Sequence, residues 1–275
     1  MEKVLYQDFT WPQLKEALEQ PNHVVILPTG AIEQHGYHCP FDTDNLPLEV
    51  IAERGARSAN ERGARVIVMP IIRWGFSSLH MDLPLPEDQF PGTLTLSPNT
   101  YLNLVTELMQ GAIRAGAKRV LIVNWHGANT QILQVAVRHL RDLTGALIGF
   151  LTPYNFAKEE VLDIIDEGIL KHAGEAETAL VMATRPELID ANKMEKEVAK
   201  VEGRATKFFR RDDLESPGGA GRVMIAERNP DFSPTGTLGD PTIATKEKGE
   251  KLLQAMSEKV GEFLVEFSTW EYGKI

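Results

Sequence analysis

Five side chains able to bind a divalent cation fall within twelve residues: Glu33, His35, His38, Asp42 and Asp44. They lie in the segment from Pro28 to Asp44, whose glycines and prolines let a chain fold back on itself. Imidazole mixed with carboxylate on a rigid loop is the ligand chemistry of zinc, manganese and similar divalent ions. Glu33 and His35, two apart, project the same way if that piece is extended. Two more polar loops each carry a histidine: Asn124-Trp125-His126-Gly127-Ala128-Asn129, and Lys171-His172-Ala173-Gly174-Glu175-Ala176-Glu177-Thr178, where Glu177 opens a helix running into Leu180. Taken singly, each of these residues has a plainer reading as a solvated or helix-capping group. Taken together, His35, His38, His80, His126 and His172 put five of the seven histidines in loops beside predicted strands or in irregular segments. His23 and His139 read as structural or exposed.

The elements that must position these loops are legible as apolar runs alternating with helical stretches, the signature of an α/β fold on a mostly parallel sheet. Val24 to Leu27 stops at Pro28, Val66 to Met69 at Pro70, Val120 to Val123 at Asn124, and Ala146 to Leu151 before Pro153. All four read as strands buried on both faces. Helices are predicted over Leu46 to Arg62, Pro98 to Gly116 and Thr130 to Leu143, the second opened by Ser97 as cap and Pro98 in the first turn. A long amphipathic helix is predicted from Ile243 to Phe267, covering one face of the sheet. In such a sheet reactive side chains belong just beyond the carboxyl ends of the strands, which is where the first two polar loops fall. Two irregular stretches, Ile72 to Ser97 and Gly203 to Pro241, read as functional loops. Pro217-Gly218-Gly219-Ala220-Gly221 reads as a turn, since it follows a charged loop and lacks the Lys-Ser/Thr of a phosphate cradle.

With 275 residues, the chain is read as a single domain over 1–275. No run approaches the roughly 18 apolar residues a membrane helix needs, so no membrane partner is expected. A formal charge of −10 argues against a nucleic-acid partner and leaves small-molecule work. One cysteine, Cys39, excludes a stapled scaffold or a cysteine-rich zinc module. The opening residues lack the pattern of a secretory signal, and a cytoplasmic location is expected.

The loop Gly30-Ala31-Ile32-Glu33-Gln34-His35-Gly36-Tyr37-His38 through Thr43-Asp44, then Asn124 to Asn129, then His172-Ala173-Gly174-Glu175-Ala176-Glu177-Thr178, resembles the creatininase (creatinine amidohydrolase) family. Pro91-Gly92-Thr93 and Gly236-Thr237-Leu238-Gly239-Asp240-Pro241 with Ala244-Thr245 extend the resemblance over nearly the whole chain. The resemblance implies a three-layer α/β/α fold, a hydrolase with two divalent ions, zinc and/or manganese with iron as a further option, and a homo-oligomer, commonly a hexamer. It implies Glu33, His35, Asp44, His126 and Glu177 as metal ligands, with Asp44 bridging the ions, and His172 as acid/base, so that His172 and Glu177 are the candidate catalytic residues. Two ions sharing a carboxylate can activate a water and polarise a carbonyl, and His172 can deliver the proton to the leaving group. In creatininase itself a glutamate stands two residues after the histidine of the Asn-x-His motif. Here that position is Ala128, and Glu177 is expected in its place.

Arg73, Trp74, Trp125 and Tyr154 follow strands and are candidates for substrate binding, against plainer readings as an ion pair for Arg73 and helix packing for Trp125. Arg210, Arg211 and Arg222 could reach a neighbouring subunit's pocket or simply be solvated. Cys39 reads as a small buried filler rather than a soft ligand, and Glu175 as a ligand-orienting group or a solvated helix-start carboxylate. The leading function is opening of a small cyclic amide or lactam, or cleavage of a related C–N bond. The alternatives are C–C cleavage of a cyclic diketone of the inositol-derived 3-dehydro-scyllo-inosose type, and a non-catalytic metal-binding assembly subunit. A serine hydrolase lacks its Gly-x-Ser-x-Gly elbow and a zinc protease its His-Glu-x-x-His helix.

Overall fold

The computed structural model describes residues 3–77, 90–197 and 233–271. His80, Arg210, Arg211, Arg222 and the turn at 217–221 lie outside the described residues. Four strands, β1 (His23–Thr29), β2 (Arg65–Val68), β3 (Arg119–Asn124) and β4 (Leu147–Leu151), form one sheet in the order β2-β1-β3-β4, every pairing parallel. Eight α-helices surround it among the described residues: α1 (Trp11–Glu19), α2 (Asn45–Glu61), α3 (Pro98–Arg114), α4 (Thr130–Thr144), α5 (Pro153–Phe156), α6 (Lys158–Ile164), α7 (Glu175–Thr184) and α8 (Lys246–Thr269).

Side chains alternate across each strand, and this divides the core in two. Val24, Ile26, Val66, Val68, Leu121 and Val123 pack with α2, α7 and α8. Val25, Leu27, Ile67, Val120 and Ile122 pack with α1, α3 and α4. The expected α/β architecture, helices on both faces of a parallel sheet, is therefore what the chain adopts.

Local chemistry explains most element ends. Ser97 Oγ accepts from Thr100 N at 3.2 Å and Pro98 occupies the first turn of α3. Gly145, at φ +70°, closes α4 through its N–H to the Arg141 carbonyl. The last helix begins at Lys246 rather than Ile243, because Thr245 caps it and Pro241–Ile243 form a separate 3-10 turn. The helix α7 begins at Glu175, two residues earlier than predicted. Short α1 was missed, although Thr10 and Gln13 form a capping box at its start.

Two strand expectations need correction. The first strand runs through Pro28 to Thr29, with Pro28 opposite Val123: proline lacks only the N–H, and the ladder continues as Trp125 N donates to Thr29 O at 3.0 Å. The strand β4 is not buried on both faces: it is the sheet edge, and Leu147 to Phe150 are only half-buried.

The strand order positions the site. After β1 the chain crosses through α2 to β2 on one side, then through α3 to β3 on the other. The carboxyl ends of β1 and β3 thus flank a switch point, the crevice where open α/β sheets bind ligands. The polar loops at 30–44 and 124–129 both start there.

Candidate metal centre

At that crevice Glu33, His35, Asp44, His126, His172 and Glu177 converge, and all but His172 are almost fully buried. Their ligand atoms form three overlapping groups with atoms within 4.8 Å of one another: Glu33, Asp44 and His126; His35, Asp44 and Glu177; Glu33, His35 and His172. Asp44 stands between the first two. Its Oδ1 is 3.2 Å from His35 Nε2, and its Oδ2 is 3.1 Å from His126 Nδ1. Glu33 Oε1 lies 3.4 Å from His126 Nδ1 and 3.5 Å from His172 Nδ1, and Glu177 Oε2 lies 3.5 Å from His35 Nε2.

The three imidazoles share one device. The outer nitrogen of each donates to a backbone carbonyl: His35 Nδ1 to Glu33 O at 3.1 Å, His126 Nε2 to Phe76 O at 3.1 Å, and His172 Nε2 to Gln34 O at 2.8 Å. A carbonyl can only accept, so each outer nitrogen carries its proton and the inner nitrogen is turned to the cluster. Such outer partners fix the tautomer of metal-ligating histidines.

Electrostatics point the same way. Burial opposes a charge on His35, but Asp44 and Glu177 overturn it and raise its pKa to about 10. Burial also opposes a charge on His126, and Glu33 with Asp44 carries it up to about 9. Burial pushes Asp44 up, yet His35 and His126 hold its carboxyl well below the usual range. Glu177 rises to about 7, through burial first, with His35 pulling down and Asp44 pushing up. Protons on His35 and His126 thus stand where cations would.

A cation fits this donor set. Both Glu33 oxygens are buried without a hydrogen-bond partner, and a buried carboxylate left without a donor costs on the order of 1–3 kcal/mol or more. Three carboxylates and inward-facing imidazoles are the hard-to-borderline ligands that zinc and manganese take.

The family model for creatininase, described as creatinine amidohydrolase, matches residues 7–264. The chain belongs to the creatininase family. It is 25% identical to creatinine amidohydrolase of Pseudomonas putida over 276 residues, covering 96% of each. It is 26% identical to a mycofactocin precursor peptide peptidase of Mycobacterium ulcerans (strain Agy99), covering 96% of this chain and 88% of that one. Identity to 3-dehydro-scyllo-inosose hydrolase of Thermotoga maritima is 22%, over 92% of this chain and 80% of the relative. The solved structure named Creatininase Mn superposes with a TM-score of 0.74 at 23% identity, covering 96% of this chain and 98% of that one, which shows the shared fold. The chain is accordingly a creatininase-family hydrolase.

Within this family member the six residues singled out from the loops come together, although residues 31–34 are not a strand. Glu33 and His35 converge because the loop folds back, with Glu33 N donating to Phe41 O at 3.1 Å. The substrate candidates fare differently. Trp125 and Tyr154 are 2% and 7% exposed, and pack edge to face on each other within the core rather than lining an open mouth. The Arg73 guanidinium is held by Asp42 and Glu49, each at 2.7 Å, the ion-pair reading. Trp74 is half-exposed. Glu175 is not a solvated helix-start carboxylate: it is fully buried and binds Asp166 N, Glu167 N and Lys248. Cys39 Sγ sits 3.7 Å from Thr178 Oγ1, and burial pushes the thiol up to about 12, as suits a neutral filler. His38 takes no place in the groups: it meets Thr178 Oγ1 at 2.9 Å, and burial, then the charge on His35, push it down to about 4.

Sequence reasoning assigned no bracing role to the residues that hold the loops together. Asn129 accepts from Phe76 N at 2.9 Å and donates to Gly30 O at 3.1 Å, joining the loops after β1, β2 and β3. Gly75 makes this possible, since a Cβ there would lie 2.6 Å from Gly30 O and 2.7 Å from Asn129 Oδ1. Ser77 Oγ lies 3.3 Å from His126 Nε2. The described ends of the two irregular stretches bind the site, through Gln34 N to Thr93 Oγ1 at 3.0 Å and Leu238 N to His172 O at 2.9 Å. The available signal was the pair of asparagines bracketing His126, which carried no assignment.

Proposed function

We propose that the chain is a two-ion amidohydrolase that cleaves the C–N bond of a small cyclic amide, lactam or related amide. The observation that carries the reading is Asp44 standing between two ligand groups with one oxygen toward each. Glu33, Asp44 and His126 would hold one divalent ion and His35, Asp44 and Glu177 the other, with zinc, manganese or iron(II) as the ions. When bound, they would supply Lewis acidity toward a carbonyl oxygen and lower the pKa of a water.

The rest is work for the chain. Backbone carbonyls hold the three imidazoles in the form whose inner nitrogen can act without rearrangement. The His172 ring lies on that of His35 at 4.2 Å, and with Nε2–H committed to Gln34 O, His172 can take a proton at Nδ1 and return it to a leaving nitrogen. Ala128, small and 5% exposed, leaves the carboxylate on that side to Glu177, held by Ala173 N at 2.7 Å.

The names of the relatives at 25% and 26% identity, an amidohydrolase and a peptidase, support C–N cleavage. The relative at 22% supports ring opening of a cyclic ketone as the second reading. The same proposal takes residues 1–275 as one domain and the assembly as a homo-oligomer.

Elemental analysis of protein purified without chelator tests the reading. About two ions per chain are expected, and Asp44→Ala should lose both together with amine release from a panel of cyclic amides and short peptides. Full metal content in Asp44→Ala would overturn the shared-carboxylate assignment. Turnover of cyclic ketones alone would select the second reading, and two ions with no turnover of either class would leave a binding subunit.

A further inference from the structure

Two carboxylates that are not candidate ligands are buried behind the site. Glu175 is fully buried and the Glu167 side chain is 5% exposed. They clasp each other's backbone: Glu167 Oε2 accepts from Glu175 N at 2.8 Å, and Glu175 Oε2 accepts from Glu167 N at 2.8 Å. Lys171 Nζ neutralises Glu167 Oε1 at 3.2 Å, and Lys248 Nζ pairs with Glu175 and, at 2.7 Å, with Asp166. The residues enclosed by this pair of hydrogen bonds are 168–174, the loop that carries His172.

The clasp reaches further. Glu167 Oε1 accepts from Asp240 N at 2.7 Å, which draws in the segment whose Leu238 N donates to His172 O. Glycines make room for it, because a Cβ at Gly174 or Gly239 would lie 2.5 or 2.6 Å from the Glu167 carboxylate. Beside His172, Ala173 has φ +53°, a left-handed conformation found at no other non-glycine among the described residues. Such strain persists only where surrounding structure over-determines it. Its outcome is that Ala173 N–H points at Glu177 Oε2, 2.7 Å away.

We propose that Glu167 is a positioning residue, whose carboxylate, bonded reciprocally with Glu175, sets the loop that aims His172 and the first turn of α7 at the metal cluster. The inference rests on reading His172 as the proton-transfer group, and it adds the device that holds that group. Cutting the clasp leaves His172 and Glu177 present but less firmly held, and losses of such outer partners typically run 10–100-fold.

The variant is Glu167→Gln, which keeps the size and loses an acceptor oxygen. Long-range proton–nitrogen spectra of metal-free protein labelled at histidine nitrogen report each imidazole tautomer. His172 is expected in a single Nε2–H form in the parent and as a mixture in the variant, with His126 and His23, on other elements, unchanged. In metal-loaded protein kcat should fall about 10–100-fold with KM within about twofold. An unaltered His172 signal, or equal changes at all three histidines in a folded variant, overturns the clasp. Should the amide unfold the chain, Glu167→Asp repeats the test, since it keeps the charge and withdraws it by one methylene; the same selective change at His172 is expected. If the parent binds no ion and turns nothing over, the hydrolase reading fails, while the spectra still decide whether Glu167 holds His172.

Discussion

Filling the metal centre should expel two protons per chain near neutral pH. In the metal-free protein His35 Nε2 and His126 Nδ1 face Asp44 oxygens at 3.2 and 3.1 Å, while their outer nitrogens already donate to carbonyls. Those inner contacts are attractive only if the nitrogens also carry protons, and pKa values of about 10 and 9 agree. An ion needs the lone pair, so each imidazole must first lose its proton. At pH 7.5 that is about two protons, with a further contribution from Glu177, whose carboxyl pKa is raised by burial. The apparent affinity for the pair of ions should then rise roughly 100-fold per pH unit between pH 7 and 8. Calorimetric titration of chelator-stripped protein with zinc or manganese, in buffers of differing ionisation enthalpy, reads the proton count as a slope. His126→Ala should lower it to about one. A slope of one or less, which an ion-bound water could supply alone, would mean that the inner nitrogens are already deprotonated and that the electrostatic account of the cluster is wrong. The sign for stability follows. Raised histidine pKa values stabilise the metal-free fold fully below the unfolded value near 6.5, and that contribution is lost as pH rises through about 9 to 10.

Three further outcomes are expected. His172→Ala should keep both ions and lose about 100-fold or more in kcat, measured beside metal content; loss of an ion would make His172 a ligand. Arg73→Ala should change KM by less than about twofold and stability by under about 1 kcal/mol, because its guanidinium serves the half-exposed Asp42 and Glu49; a tenfold KM increase would restore it as a substrate contact. His23 donates through Nδ1 to Gln20 O and accepts at Nε2 from Lys118 N, and burial lowers its pKa. The folded state therefore binds fewer protons there, so its contribution is present above about pH 6.5 and is lost as pH falls below that. Urea midpoints of parent and His23→Gln between pH 7 and 5 should converge toward acid, and parallel curves would reject this.

Much of the candidate site was legible because most of its candidate ligands follow strands. Glu33, His35 and Asp44 come after an apolar run ended by proline, and His126 comes directly after another. His172 and Glu177 follow no strand; residue types marked their loop as polar, and only the family resemblance gave them roles. Their place depends on the Glu167–Glu175 clasp and on Leu238, contacts between segments more than sixty residues apart at the extreme. Arg73, Trp125 and Tyr154 show the limit from the other side. A position after a strand says that a side chain is near the crevice, not which way it turns. For Trp125 the gain from burying an indole in the core against Tyr154 decides that.

By itself the sequence determined what is encoded within a turn or two of chain: the strand and helix alternation, the cap at Ser97, and the chemical types gathered in each loop. Tertiary structure alone decided the order β2-β1-β3-β4, which sets the loops after β1 and β3 side by side, and the exposure of β4 at the edge. It also decided that Asp44 would face two histidines at once. The reason is that strand order and side-chain direction minimise the free energy of the whole packed core, to which residues distant in sequence contribute together, whereas periodicity and capping are settled among near neighbours.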